Sequence, residues 1–158
     1  MKLYSTKIMM ACTFILATNV AAANPATSEK HAIKATELRQ AVFKLLGANM
    51  GTLGAMAKGK IPFDAKVVEK NATRINQLSF MIDDYTATDT SAYKVKTEAL
   101  AKVWNEREAF EKRIKNLSLA SDKLIKIAAS GDEKAMRAAI GGVGKTCGGC
   151  HDDFKEDK

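Results

Sequence analysis

Four stretches of this chain set apolar residues at three- and four-residue steps, and none alternates them as a half-buried strand does. Helix packed on helix is then the way to bury the apolar stripes. The first stretch runs from about Ser28 to Lys58, with Leu38, Val42, Leu45, Leu46, Met50, Leu53 and Met56 in its stripe. Gly59 and Pro62 in KGKIPFD break it, and Asp64 can cap the next helix. The second continues to about Asp84 and carries Val68, Ala72, Ile75, Leu78 and Ile82. A polar connection, DDYTATDTSAY, leads to a third stretch from about Thr97 to Ser130, with Val103, Phe110, Ile114, Leu117, Leu124 and Ala128 inward. Gly131 ends it, and Asp132 caps a fourth that holds Met136, Ala139, Ile140, Val143, Cys147, Cys150 and Phe154. Four amphipathic helices with mostly short connections predict an all-α fold, an antiparallel up-down four-helix bundle.

The residues ahead of the first helix read as a targeting segment. Lys2 and Lys7 precede the apolar run IMMACTFILA, which ends at the small residues of VAAAN. A basic start, a short apolar run and an Ala-x-Ala site form a secretory signal. The run falls short of the ~20 residues that span a bilayer. Cleavage after Ala23 leaves Asn24 to Lys158 as one domain with a single core, exported to the periplasm. It also removes Cys12 and lowers the formal charge of +7 by two. No later apolar stretch reaches membrane length, and no basic cluster is interleaved with aromatics. Neither a membrane nor a nucleic acid is an expected partner. The charges mostly alternate in sign along helix faces, as in NEREAFEKRIK, which makes solvated surface.

The chemistry gathers near the C-terminus, in KTCGGCHDDF. Positions i, i+3 and i+4 share one helix face, so Cys147, Cys150 and His151 project together while Gly148 and Gly149 turn away. A disulfide across that three-residue step would be strained. Cys-x-x-Cys-His is instead the attachment signature of c-type haem. Two thiols one turn apart can add to two vinyl groups as thioethers, and the next imidazole can ligate the iron. A thioredoxin-like pair would sit beside a βαβ pattern at a helix start, and this motif does not. A structural zinc site needs four ligands, and only His31 is left to supply another. The expected cofactor is one haem c, covalent through Cys147 and Cys150, with His151 on the metal. Spacing leaves the opposite side of the iron open: His31 reads as a solvated residue at a helix start, and Met50, Met56, Met81 and Met136 read as core.

Three segments, ELRQAVFKLLGANMGTLGAMAKGKIPFD, TEALAKVWNEREAF and AIGGVGKTCGGCHDDF, resemble the cytochrome c prime family of class II c-type cytochromes. The resemblance covers nearly the whole mature chain, and that family is itself a standard instance of the up-down bundle. It implies that Arg39 and Gln40 lie near the haem propionates, where a guanidinium can grip a carboxylate as a fork. It implies that Phe43 meets the distal face of the iron, where low-spin relatives carry a methionine ligand and high-spin ones an apolar or aromatic residue. Thr97 and Glu98, opening the third helix, would line the haem edge, with Trp104 a little further on. One position departs from the pattern. Relatives often have arginine four residues after the ligand histidine; Lys155 stands there in this chain, keeping the charge and losing the planar fork.

The function implied is that of a five-coordinate, high-spin haem protein binding nitric oxide or carbon monoxide, with electron transfer compatible and no catalytic cycle. The alternative is a six-coordinate, low-spin electron carrier of the same fold. The same resemblance implies pairing of two copies through the first two helices. The redox partner is not fixed by the sequence.

Overall fold

The computed structural model describes residues 24–157, so the expected secretory signal over residues 1–23 lies outside the described residues. Four long helices carry the architecture: α1 (Glu29–Ala57), α2 (Ala65–Thr86), α4 (Arg107–Ala128) and α5 (Glu133–Phe154), with a single turn, α3 (Lys102–Asn105), ahead of α4. They form the four-helix bundle that the periodicity predicts. α2 packs along α4, α4 along α5 and α1 along α2, whereas α1 and α5 meet over a much shorter length. That shortfall is what opens a site.

The ends of the helices are set by side chains chosen for the purpose. The Ser28 hydroxyl accepts the His31 N–H, Asp64 accepts from the N–H groups of Lys66 and Val67, and Asp132 accepts from that of Ala135. α1 stops in a Schellman turn: Gly59, at φ 68°, donates to the Met56 carbonyl and Lys60 to that of Ala55. Gly131, at φ 74°, turns the chain between α4 and α5. Leu53, Val68, Ile75, Leu124, Met136, Ile140 and Val143 are fully buried at the centre. Between α2 and α4 the seam is small and polar, where Asn76 Nδ2 donates to the Ser118 carbonyl at 2.9 Å and to Ser121 Oγ at 3.1 Å.

Two expectations need correction. The third stretch is not one helix from Thr97. Residues 97–101 are not continuous helix, and the chain kinks at Glu106 between α3 and α4. The backbone here pairs with the end of α5 instead: Leu100 donates to the Phe154 carbonyl at 3.0 Å and Glu156 to that of Glu98 at 2.8 Å. In addition, Leu38 and Leu45 leave the first stripe, being 38% and 53% exposed. A small feature absent from the pattern is a parallel pairing of β1 (Asn24–Pro25) with β2 (Thr88–Asp89), which ties the start of the described chain to the end of α2.

Candidate haem site

A cleft of about 1170 Å³ opens between α1 and α5, floored by Ile75, Ile82, Phe110 and Leu117 from the helices behind. Eight residues singled out in the sequence line it: Arg39, Gln40 and Phe43 from α1, Thr97 and Glu98 from the loop before α3, and Cys147, Cys150 and His151 from α5; Trp104, named with that loop, is buried in the core instead. The two helices run antiparallel in a register that can be traced along their length. Near one end Arg137 donates to the carbonyls of Met56 and Ala57, the latter at 2.9 Å. Midway, a Cβ on Gly144 would lie 3.5 Å from the Met50 methyl. Equal helix rise over seven residues further along α5 and seven back along α1 would set His151 level with Phe43.

Cys147 and Cys150 are half-buried one turn apart and unbridged. Burial raises both thiols above the ordinary range; for Cys150 it wins over the attraction of Arg113, to about 11. Both are therefore protonated thiols at neutral pH. The His151 ring is exposed, and its backbone carbonyl accepts the Lys155 N–H at 3.1 Å.

Arg39 is 2% exposed. Its Nη2 donates to the hydroxyls of Thr36 at 3.3 Å, Thr90 at 3.4 Å and Thr97 at 3.3 Å. Nη1 is buried with no partner. Burial lowers the guanidinium pKa, against the pull of Asp89. Its Cζ lies 5.2 Å from the centre of the Trp104 ring, whose Nε1 donates to the Thr86 carbonyl at 2.9 Å. A buried cation with an idle donor costs on the order of 1–3 kcal/mol until an acceptor arrives. Two thiols and an imidazole on one helix face, with that donor short of an anion on the wall of the same cleft, fit a haem carrying ionised propionates.

The loop before α3 is strapped across this end. Gln40 Nε2 donates to the Lys96 carbonyl at 2.8 Å, and Lys155 Nζ lies 3.2 Å from Glu98 Oε2. Thr97 and Glu98 thus reach the cleft from an extended segment rather than from the start of a helix. Among the candidate ligands left open by spacing, only Met50 lines the cleft. Met56 and Met136 are core, and Met81 is 37% exposed away from the cleft. His31 sits exposed in the first turn of α1, where its Nδ1 accepts the Thr27 N–H at 3.2 Å.

Sequence reasoning passed over Arg113, whose Nε and Nη2 donate to Asp153 Oδ2 at 2.9 and 2.7 Å. It stands against Gly149, where a Cβ would meet its Nη1 at 3.0 Å. Its only local signal was membership of the alternating face NEREAFEKRIK, which reads as solvated surface.

The sequence matches the family model for Cytochrome C' over residues 34–155. Cytochrome c' from Rubrivivax gelatinosus is 39% identical over 123 residues, 77% of this chain and 94% of the relative. Among solved structures, cytochrome c prime from Shewanella frigidimarina superposes with a TM-score of 0.73 at 36% identity, covering 80% of this chain and 97% of its own. The nitric oxide complex of a mutant cytochrome c prime from Alcaligenes xylosoxidans gives a TM-score of 0.72 at 26% identity, covering 80% and 97% respectively. The chain belongs to the cytochrome c' family of haem proteins.

Proposed function

We propose that this chain is an exported mono-haem cytochrome c' with five-coordinate, high-spin iron that takes nitric oxide or carbon monoxide. Haem bound in the cleft would supply an iron able to take a histidine nitrogen and a diatomic gas. Cys147 and Cys150 would tether it as two thioethers, and His151 would be the one protein ligand on the metal. Arg39 offers its idle Nη1–H to a propionate oxygen, a charge-assisted bond stronger than any of its three bonds to threonine hydroxyls. Gln40 steadies the Lys96 backbone beside it, and Thr97 and Glu98 border the haem edge.

Phe43 walls the distal side. A phenyl ring has no lone pair for iron, keeps water away and gives a bound gas no hydrogen bond. Helix register supports this reading: counted seven residues each way from the contact of Met50 with Gly144, Phe43 falls level with His151, and Met50 stands two turns away. The nitric oxide complex of the Alcaligenes relative supports that gas as a ligand. A hydrocarbon ring on that side, with no acid or base, favours binding over a catalytic cycle. Absorption and electron paramagnetic resonance spectra of the ferric protein test the reading. High-spin signals are expected, and a low-spin, methionine-ligated spectrum would overturn it.

Residues 1–23 act as the secretory signal, and the mature chain, 24–158, works in the periplasm. The intact mass of the exported protein, expected to equal residues 24–158 plus one haem, tests both the cleavage and the covalent attachment. Two copies pair through α1 and α2. Apolar surface left exposed by Ile33, Leu38 and Leu45 on α1 and by Phe80 and Met81 on α2 supports that arrangement.

A further inference from the structure

Arg107 belongs to the run NEREAFEKRIK, which reads as solvated surface, yet it is buried at the first position of α4. Each nitrogen of its guanidinium is engaged. Nη1 donates to Thr86 Oγ1 at 3.0 Å and, more weakly, to the Thr86 carbonyl at 3.4 Å. Nη2 donates to the carbonyl and the carboxylate of Asp83, and Nε to Glu111 Oε1 at 2.9 Å. The carbonyls of Asp83 and Thr86 lie in the last turn of α2, where no intrahelical N–H remains for them. A cation is favoured at that end of a helix dipole. Arg107 is thus a cap that α4 supplies to α2, neutralised by two carboxylates that reach it from the surface.

The cap is shared. The Thr86 carbonyl also accepts Nε1–H of Trp104, the one tryptophan in the chain, at 2.9 Å. That bond fixes the plane of the indole, and the Arg39 guanidinium lies over the ring, its Cζ 5.2 Å from the centre. The ring quadrupole attracts a cation placed there. Arg39 needs such a support. Its bonds to the hydroxyls of Thr36, Thr90 and Thr97 all leave from Nη2 and are 3.3 Å or longer, so they hold one corner of the group and leave its tilt free. Two buried guanidiniums are therefore joined through one carbonyl and one indole.

We propose that Arg107 is a positioning residue for Arg39: through the Thr86 carbonyl and the Trp104 indole it sets where the idle Nη1–H of Arg39 meets a haem propionate. Arg107 itself does not line the cleft. The proposal rests on haem occupying that cleft and is independent of the gas bound and of the spin state of the iron. A guanidinium held against a propionate cancels negative charge beside the iron, and that negative charge favours the ferric state. Loss of Arg107 frees the indole and then Arg39, so the oxidised iron gains. A cap that served α2 alone would weaken the bundle and leave the iron's redox balance unmoved.

The test is the reduction potential of the holoprotein by potentiometric titration, with the propionate bending band in resonance Raman as a second readout. In Arg107→Gln the equilibrium constant for reducing the iron is expected to fall about threefold, and the propionate band to shift. Trp104→Phe keeps a ring and the net charge while it removes Nε1–H. It is expected to move both readouts in the same direction, and it carries the test should Arg107→Gln fail to fold. The effect of Arg107→Gln is then measured again in an Arg39→Gln background. Residues that act in series are non-additive, so there it should shrink or vanish, whereas the bare loss of a positive charge at position 107 would act equally in both backgrounds. An unchanged potential in Arg107→Gln or Trp104→Phe, or a shift of the same size without Arg39, would overturn the positioning role and leave haem in the cleft standing. A wild-type chain that carries no haem would overturn both.

Discussion

Arg39 concentrates the tension of the site: a buried cation bonded to three hydroxyls, over the Trp104 ring, with one donor idle. Arg39→Lys keeps the charge but loses the fork and the stacking plane. The holoprotein is expected to lose about 1–3 kcal/mol, measured by denaturant unfolding monitored at the haem absorption band; an unchanged midpoint would contradict the role given to Nη1. The thiols allow a prediction for the haem-free protein. Because burial lifts Cys150 from 9.0 to about 11, the unfolded chain releases this proton first as pH rises. Stability from this thiol is complete below pH 9.0 and drains away as the pH approaches 11. Cys150→Ala should flatten that part of the stability profile of the apoprotein, and iodoacetamide should label Cys150 slowly at neutral pH. At this scale the Cys147, Cys150 and His151 grouping was legible because helix geometry alone brings i, i+3 and i+4 together. The contacts of Trp104 with Arg39 and of Arg113 with Asp153 were not, since the partners come from other helices and leave no local pattern.

The helices show where local rules held and where tertiary contacts overrode them. Ser28, Asp64 and Asp132 cap, and Gly59 and Gly131 stop, as their chemistry dictates. The reading of a helix from Thr97 failed because residues 98–100 satisfy their backbone groups against the end of α5, with partners more than fifty positions away. Leu38 and Leu45 misled for a related reason: a stripe wide enough for both core and outer surface reads as one stripe. Glycine position supplies a sharp contrast. Gly59→Ala puts a Cβ on a left-handed residue and should destabilise by about 1–2 kcal/mol. Gly51→Ala adds a methyl group where nothing lies within 4 Å and should stabilise by about 0.5–1 kcal/mol. Denaturant unfolding of the two variants against wild type decides this; the same sign for both would mean that helix ends and interiors are misassigned.

At the scale of the whole molecule, one imbalance links fold to function. Three of the four helix seams are long and closed, and the fourth, between α1 and α5, is short and held apart. The bundle class was legible from periodicity, since amphipathic helices have few other ways to bury their stripes. Which seam would open was not, because it depends on contacts between residues far apart in the chain, such as Met50 with Gly144 and Arg137 with the Ala57 carbonyl. The outer faces of α1 and α2 make the further prediction that the mature protein sediments as a dimer, and that Leu45→Glu with Phe80→Glu shifts it to monomer; a wild-type monomer would remove the pairing. The central claim is that nothing but a phenyl ring stands opposite His151. The ferric electron paramagnetic resonance spectrum addresses it most directly: such a site gives a high-spin signal from iron with one axial histidine, and a low-spin signal from iron ligated by methionine would contradict it.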